Sequence, residues 1–223
     1  MRDTMEFYAK DNIQMMKRFP DFAPDIYQSY IAFSKAVLSD GHLSRKEKEI
    51  IAVAVSHATE CPYCIDFHTR KAKKAGASLE ELFEAVMVTA AIEAGGAYAH
   101  RTQMHRAYDG KIAESLYSRN DLENLNALTD LSSEIQQTAR SFFGKAMGAG
   151  KLDAKLKQII AVAIAHTSEC PYCIASHTED AKNEGCSKEE LAEAVIVAAL
   201  LRSGGAVTHG VNMVQSFERA EEE

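Results

Sequence analysis

The stretch "ECPYCIDFHT" at residues 60–69 is followed 109 positions later by "ECPYCIASHT" at residues 169–178. Each copy has two cysteines separated by two residues and a histidine four residues after the second cysteine. The match extends well beyond this motif, because roughly 33 of the 58 positions in 43–100 are identical in 152–209. The chain is therefore an internal duplication, and two copies of this size indicate a fused pair related by a pseudo-two-fold axis.

The repeat unit has the sequence features of helices and no alternating strand pattern of useful length. In the first copy we expect helices over 43–57 and over 61–76, the latter opened by the proline of the motif. A third helix has a capping-box pattern at its start and is expected over 78–96, ending at a Gly-Gly pair. A fourth is expected over 97–108. The predicted fold is an all-α helical bundle that is internally duplicated.

The duplication divides the chain into two repeats and flanking segments. Repeat 1 is expected over 21–108 and repeat 2 over 129–216. Residues 1–20 and 109–128 show no counterpart in the alignment and are interpreted as an N-terminal extension and a connector. Residues 217–223 are interpreted as a solvated acidic tail.

Composition limits the class of protein. Of 223 residues, 46% are hydrophobic and 26% are charged, as in ordinary soluble globular proteins. The net charge of −7 argues against a general nucleic-acid surface. The apolar runs are interrupted or too short to cross a bilayer, and the N-terminus lacks a signal-peptide core. We expect a cytoplasmic protein with no nucleic-acid or membrane partner.

Four of the five cysteines lie in the two CPYC motifs, which points to redox chemistry or metal binding. If a helix starts at the motif, Cys61 is its N-cap and Cys64 lies in its first turn, where the helix dipole favours thiolates. His68 lies one turn beyond Cys64 and can take its proton. Cys64, near both the dipole and the histidine, is expected to have the lower pKa. Glu49 precedes Cys61 by twelve residues and could reach His68 across an antiparallel helix pair.

The second repeat has Cys170, Cys173 and His177 at the equivalent positions. It has Gln158 where the first repeat has Glu49. A glutamine side chain cannot accept a proton under these conditions, so the two sites are expected to be unequal.

Two other interpretations of the cysteines stay open. Both CPYC motifs could contribute to one structural zinc centre with four cysteine ligands. Alternatively, the cysteines could be small buried hydrophobic residues without chemistry. The proline-started helix and the histidine after each motif favour thiol chemistry over both.

The combination of a glutamate, a CxxC motif and a histidine in an all-helical chain resembles the AhpD-like alkylhydroperoxidase and carboxymuconolactone decarboxylase superfamily. The segment "LSRKEKEIIAVAVSHATECPYCIDFHT" (43–69) is close to that family's core. The resemblance covers about 21–106 and again 130–215. It implies a compact helical bundle that assembles into homo-oligomers, expected here as a trimer or a dimer.

The resemblance also implies roles for the motif residues. In the AhpD-like branch the second cysteine attacks the peroxide and the first resolves the product. Carried onto this chain, Cys64 would be the nucleophile and Cys61 the resolving cysteine. His68 and Glu49 would relay the proton, and no metal or organic cofactor would be needed. AhpD sites also have a histidine inside the CxxC, where this chain has Tyr63.

In the second repeat Cys173, Cys170 and His177 match this pattern, whereas Gln158 departs from it. We therefore hypothesise a thiol-dependent hydroperoxide reductase, regenerated by an external dithiol or a protein reductant. Family members that decarboxylate lactones lack the CxxC, which argues against that activity here. The alternatives are a decarboxylase-like enzyme acting on a small carboxylate or lactone, a protein disulfide reductase, and a redox-sensing partner protein.

Overall fold

A computed structural model of the chain describes residues 8, 10–110, 117–118, 120–121, 125, 128 and 130–220. Over these residues the secondary structure is helical, and eight main helices occur as two sets of four. The first set is α1 (Pro24–Val37), α2 (Arg45–Ala58), α3 (Pro62–Lys74) and α4 (Leu79–Tyr108). The second set is α5 (Ser133–Met147), α6 (Ala154–Thr167), α7 (Pro171–Asn183) and α8 (Lys188–Arg219). The predicted all-α, internally duplicated fold is confirmed.

Local sequence determines where the helices begin. Ser78 and Glu81 form the predicted capping box at the start of α4. Ser44 and Glu47 form another at the start of α2, one residue after the predicted beginning. Each box satisfies two backbone N–H groups that the first helical turn leaves without partners. These starts could be predicted because the pattern needs only four neighbouring residues.

The predicted helix break at the Gly-Gly pair is wrong. Helix α4 runs through Gly95 and Gly96 without interruption, and both glycines keep a negative φ. A Cβ atom on Gly96 would lie 3.7 Å from the Sγ atoms of both Cys170 and Cys173. A Cβ here would make ordinary van der Waals contact with both sulfurs, so this glycine lies against the second motif and makes no turn.

The two repeats pack into each other reciprocally. Helices α2 and α6 are in contact with each other, and the long helix of each repeat crosses to the other: α4 packs on α6, and α8 packs on α2. Each helix that begins with a CPYC motif also contacts the long helix of the other repeat: α3 contacts α8, and α7 contacts α4. Each CPYC motif is therefore enclosed by its own repeat and by the long helix of the other repeat.

Two equivalent glutamates on the long helices stabilise the packing of the two repeats against each other. Glu84 on α4 accepts hydrogen bonds from the backbone N–H groups of Lys151 (2.8 Å) and Leu152 (3.1 Å) in the other repeat. It also forms an ion pair of 2.9 Å with the buried Lys157. Glu193 on α8 makes the equivalent contacts with His42, Leu43 and Lys48. Burial raises the pKa of each carboxyl, but these hydrogen bonds and the lysine outweigh it and lower the pKa to about 2.

One pair of aromatic residues outside the aligned repeats, Tyr8 and Tyr117, makes equivalent contacts. The ring of Tyr8 lies 5.9 Å from that of Tyr63 and 6.0 Å from that of His209. At the same offset of 109 residues, Tyr117, Tyr172 and His100 form an equivalent cluster, with centroids 5.3, 5.7 and 6.1 Å apart. Tyr8 and Tyr117 therefore take equivalent places in the two repeats, and the assignment of 1–20 and 109–128 as an extension and a connector stays a prediction.

The ends of the chain add two short elements. A 3-10 helix (Lys10–Arg18) and a single α-helical turn (Phe19–Phe22) precede α1. At the other end, residues 217–219 of the predicted acidic tail belong to α8, and residues 221–223 lie outside the described residues.

Helices α4 and α8 are long and apolar enough to cross a membrane by length and composition alone. The sequence predicts apolar runs that are interrupted or too short to cross a bilayer, whereas the continuous helices have the required length. Both helices pack against several others, and their buried faces contribute Val88, Ile92, Val197 and Leu201 to the common core. Packing within the bundle accounts for their apolar composition.

Candidate active site

The first candidate site, called site 1, contains Cys61, Cys64, His68 and Glu49. Cys61 is the N-cap of α3, and its Sγ accepts a hydrogen bond of 3.4 Å from the backbone N–H of Cys64. Both cysteines are free thiols and are buried, with 0% and 4% exposure. The predicted N-cap position is confirmed, and both sulfurs lie at the positive end of the α3 dipole.

The turn between α2 and α3 is held in a backbone conformation that is uncommon for its residue. Glu60 has a φ of 53°, and its counterpart Glu169 has a φ of 56°. A left-handed conformation of a residue with a Cβ costs about 1 kcal/mol or more and clusters at functional sites. The reversal places Cys61 directly at the start of α3, against the end of α2.

Helices α2 and α3 bring Glu49 and His68 together, as an antiparallel helix pair predicts. Nδ1 of His68 is 2.9 Å from Oε2 of Glu49. Both residues are buried, with 7% of His68 and 1% of Glu49 exposed. A carboxylate accepts from Nδ1–H, which fixes the ring and leaves Nε2 for proton transfer. His68 and Cys64 both line one cavity.

Thr208 of α8 is a site residue that the sequence analysis missed. Its Oγ1 lies 3.3 Å from Sγ of Cys61 and 3.7 Å from Sγ of Cys64. It also donates a hydrogen bond of 3.1 Å to the carbonyl oxygen of Gly205. The alignment contained a signal, because Thr208 is paired with Ala99, but only the packing of α8 on α3 shows that it reaches the cysteines.

The two thiols of site 1 have opposite pKa shifts. The hydrogen bond from the Cys64 thiol, followed by those from Thr208 and the Cys64 N–H, lowers the pKa of Cys61 to about 5. The field of His209 acts in the same direction, and burial opposes it. The pKa of Cys64 is raised because its proton is held by Cys61 and the thiol is buried. The expectation that Cys64 has the lower pKa is therefore wrong for the reduced pair.

Site 1 opens onto a cavity of about 390 Å³ between the 3-10 helix, α1, α3 and α8. Cys64, His68 and Thr208 lie in its wall, whereas Cys61 lies behind them. Most of the other lining side chains are apolar or aromatic: Ile13, Met16, Tyr27, Tyr30, Ile31, Tyr63, Phe67, Leu200 and Leu201. A small molecule in this cavity would therefore meet the sulfur of Cys64 before that of Cys61.

The second candidate site, site 2, repeats the backbone arrangement around Cys170, Cys173, His177 and Gln158. Cys170 is the N-cap of α7 and accepts a hydrogen bond of 3.4 Å from the N–H of Cys173. Nδ1 of His177 is 3.0 Å from Oε1 of Gln158. Burial lowers the pKa of His177, because a buried imidazole keeps its neutral form more readily. Burial and the hydrogen bond to Cys170 raise the pKa of Cys173.

The surroundings of site 2 differ from those of site 1. Ala99 stands at the position of Thr208, and Arg140 and Phe143 stand where site 1 has Ile31 and Ser34. The cavity beside Cys173 is smaller, at about 260 Å³. Site 2 therefore keeps the cysteines and the histidine but lacks the carboxylate and the hydroxyl of site 1.

The zinc interpretation needs both motifs at one place. Within the described ranges, no group of three or more His, Cys, Asp or Glu side chains is arranged to hold a metal ion. The described cysteines thus do not form a four-cysteine centre.

Comparison with known families confirms the resemblance. The model of the carboxymuconolactone decarboxylase family matches residues 24–104 and 133–216, one match in each repeat. The solved structure of a protein from Burkholderia xenovorans, provisionally described as a gamma-carboxymuconolactone decarboxylase subunit, aligns with a TM-score of 0.71. The alignment covers 95% of this chain and 96% of that one at 15% identity, so it shows a common fold alone.

Two curated relatives share sequence with this chain. "Uncharacterized protein 4 in cox locus" of Paracoccus denitrificans is 47% identical over 75 residues, which are 34% of this chain and 68% of that protein. An uncharacterized protein of Cupriavidus necator is 36% identical over 73 residues, which are 33% of this chain and 63% of that protein. Neither description names an activity.

Proposed function

Because the chain belongs to the carboxymuconolactone decarboxylase family, we propose that it is a thiol-dependent hydroperoxide reductase of the AhpD-like kind, with site 1 as its main centre. One observation carries the proposal: a buried dithiol with an acidic first cysteine presents its second cysteine to a cavity shared with His68. Glu49 holds that histidine at 2.9 Å. A nucleophile, a charged partner and a proton relay are therefore assembled around one small-molecule cavity.

In the first step the sulfur of Cys64 attacks the terminal oxygen of the hydroperoxide. The S–O bond forms as the O–O bond breaks, and the proton of Cys64 passes to the thiolate of Cys61, which already accepts a hydrogen bond from it. His68 enters this step protonated at both ring nitrogens, with Nδ1–H donated to Glu49; the leaving alkoxide takes the Nε2 proton and departs as an alcohol, and the ring is left neutral. Cys64 is then a sulfenic acid and Cys61 a neutral thiol.

In the second step the two cysteines condense. Cys61 attacks the sulfur of the sulfenic acid, a disulfide forms, and one molecule of water leaves. Sulfurs three residues apart at a helix start are close enough for this bond after a small rearrangement of the first turn. An external dithiol or protein reductant then opens the disulfide by exchange and is itself oxidised to a disulfide.

Under the same proposal, site 2 contributes less to peroxide reduction than site 1. Cys173, Cys170 and His177 can follow the same steps, but Gln158 cannot take up charge as Glu49 can. We propose that site 2 reacts with peroxide much more slowly. We further propose that the enzyme acts in the cytoplasm as a homo-oligomer, in keeping with its acidic composition and its family.

The cavity is suited to this function. Most side chains that line the site 1 cavity are apolar or aromatic, which suits an organic hydroperoxide. The cysteines of the reduced pair are 0% and 4% exposed, which suits a small oxidant, and the same burial makes a small external dithiol the more accessible reductant.

The decisive test is a stopped-flow count of thiols on the reduced, metal-free protein before and after one equivalent of an organic hydroperoxide. We expect rapid loss of two thiols and formation of one alcohol per disulfide. If the peroxide consumes no thiols within seconds, the reductase function is refuted. A lactone decarboxylase activity that survives Cys64→Ser would point to the family's other chemistry.

A further inference from the structure

We propose that Thr208 is a functional residue of site 1, whose hydroxyl binds the cysteine sulfur that carries negative charge. This inference rests on the proposed function, since it assigns a residue to the same dithiol cycle. It also assigns a cause to the difference between the two sites, because repeat 1 supplies Ala99 where repeat 2 supplies Thr208. The donor for the cysteines of one repeat thus comes from the other repeat.

The geometry allows one hydroxyl to serve both sulfurs. Oγ1 of Thr208 lies 3.3 Å from Sγ of Cys61 and 3.7 Å from Sγ of Cys64, within reach of a hydrogen bond to sulfur in each case. In the neutral dithiol the hydroxyl donates to the carbonyl of Gly205 and can accept from a thiol. When a sulfur loses its proton, rotation about the Cβ–Oγ1 bond turns the same hydrogen toward the thiolate.

The negative charge changes place during the cycle, and Thr208 stays within reach of it. In the proposed cycle the charge starts on Cys61 and moves to Cys64 as that sulfur attacks. During reduction an external thiolate attacks one sulfur, the S–S bond breaks, and the other sulfur leaves with the electron pair. A hydrogen bond to a charged sulfur lowers the free energy of each of these states in a buried setting.

Site 2 provides the internal comparison. Ala99 lies in the wall of the cavity beside Cys173 and offers no donor. The other main difference, Glu49 against Gln158, acts on the histidine ring and not on a sulfur. The two differences can therefore be separated by measuring the ionisation of the cysteines without any peroxide.

The test uses the reduced full-length chain with site 2 silenced by Cys170→Ser, Cys173→Ser and Cys186→Ser. Thiolate absorbance at 240 nm is followed from pH 3.5 to pH 8. Thr208→Val removes the hydroxyl but keeps the shape of the side chain, and we expect it to raise the thiolate midpoint by about one pH unit. Thr208→Ser keeps the hydroxyl and should restore the midpoint of the parent.

Other titratable groups near the pair are common to all these variants. Those nearest Cys61 are Cys64 on α3, His209 on α8 and Tyr30 on α1. Their influence cancels in the difference between the parent and a Thr208 variant. Thermal unfolding followed by circular dichroism verifies that each variant is folded.

The reciprocal variant completes the experiment. Ala99→Thr in a chain with Cys61→Ser, Cys64→Ser and Cys186→Ser should lower the thiolate midpoint of site 2. An unchanged midpoint in Thr208→Val, or a raised midpoint that Thr208→Ser does not restore, would overturn the inference. The thiolate midpoint is measured without peroxide, so it is independent of the peroxide assay. If Thr208→Val shifts the midpoint but the parent protein does not reduce peroxide, the role of Thr208 is supported and the proposed function is refuted.

Discussion

Site 1 and site 2 share a backbone, two cysteines at a helix start and a histidine one turn later, but they differ in the groups that handle charge. Site 1 has a carboxylate at 2.9 Å from its histidine, whereas site 2 has an amide oxygen at 3.0 Å. Site 1 has a hydroxyl at both sulfurs, and site 2 has Ala99. The duplicated fold thus places the cysteines and the histidine alike in both repeats, whereas the charged and polar neighbours of these residues differ between the sites.

The largest effect is expected from removing the nucleophile of each site in turn. Cys64→Ser should reduce the rate of peroxide reduction by about 10³-fold or more, because the attacking sulfur is lost. Cys173→Ser should change the rate by less than about twofold, since we assign little turnover to site 2. Steady-state alcohol production from an organic hydroperoxide measures both. Equal losses in the two variants would show that the sites are equivalent.

The second effect concerns the partner of the histidine. Glu49→Gln converts the relay of site 1 into that of site 2, and we expect the rate constant for peroxide reduction to fall by about 10²-fold. The variant should stay folded, because Gln158 makes the same contact with His177 at 3.0 Å.

Gln158→Glu in a Cys64→Ser chain is the converse variant, and single-turnover thiol loss is its readout. We expect the rate at site 2 to rise by about tenfold. If site 2 stays inert with its new carboxylate, Glu49 does not explain the difference between the sites.

A third, smaller effect tests whether the two repeats are held together symmetrically. Glu84→Gln and Glu193→Gln should each destabilise the protein by about 2 kcal/mol at pH 7, because each leaves a buried lysine without its carboxylate. Urea unfolding gives this free energy, and Glu184→Gln, at an exposed glutamate, serves as the control. A clear loss of stability in one variant only would show that the contacts of Glu84 and Glu193 contribute unequally.

The pKa values of the same glutamates predict how the stability of the protein changes with pH. Their pKa values are lowered from 4.5 to about 2, so the folded state favours the ionised form. The stability that they provide is therefore complete above about pH 4.5 and is lost as the pH falls toward 2. The difference between wild type and either glutamine variant should shrink over that range.

The smallest effect distinguishes two equivalent glycines of the long helices, Gly205 in α8 and Gly96 in α4. Gly205→Ala should stabilise α8 by about 0.5–1 kcal/mol, because a Cβ there would meet nothing within 4 Å. Gly96→Ala should give a similar gain in α4, but its methyl group would touch both sulfurs of site 2. Only Gly96→Ala should then alter the alkylation rate of the site 2 cysteines. No change in that rate would mean that the glycine is not needed there.

The parts of the structure that were predictable from sequence depend on neighbouring residues. The helix class, the capping box at Ser78 and the N-cap position of Cys61 all follow from patterns of a few residues, and they agree with the structure. The approach of Glu49 to His68 followed from two helices joined by a short turn. Such features need no knowledge of how the repeats pack.

The errors concern contacts between distant residues. Helix α4 continues through Gly95 and Gly96 while it packs against helices of both repeats, and this tertiary packing is not visible in a local pattern. Thr208 reaches the cysteines of site 1 from a separation of more than 140 residues. The order of the two thiol pKa values also depends on that contact and on the hydrogen bond inside the pair.

The exchange of long helices between the repeats has a consequence for how the protein can change over generations. The Paracoccus denitrificans relative is about 110 residues long, since 75 residues are 68% of it, and that length has room for a single repeat. In a symmetric pair of identical single repeats, one mutation alters both sites at once. In the fused chain, a mutation at position 99 or 208 alters one site alone, and it does so in the half that does not contain that site's cysteines. Fusion thus allows substitutions to change one site without changing the other. Separation of the two halves would, however, remove from each site the residues that the other half contributes.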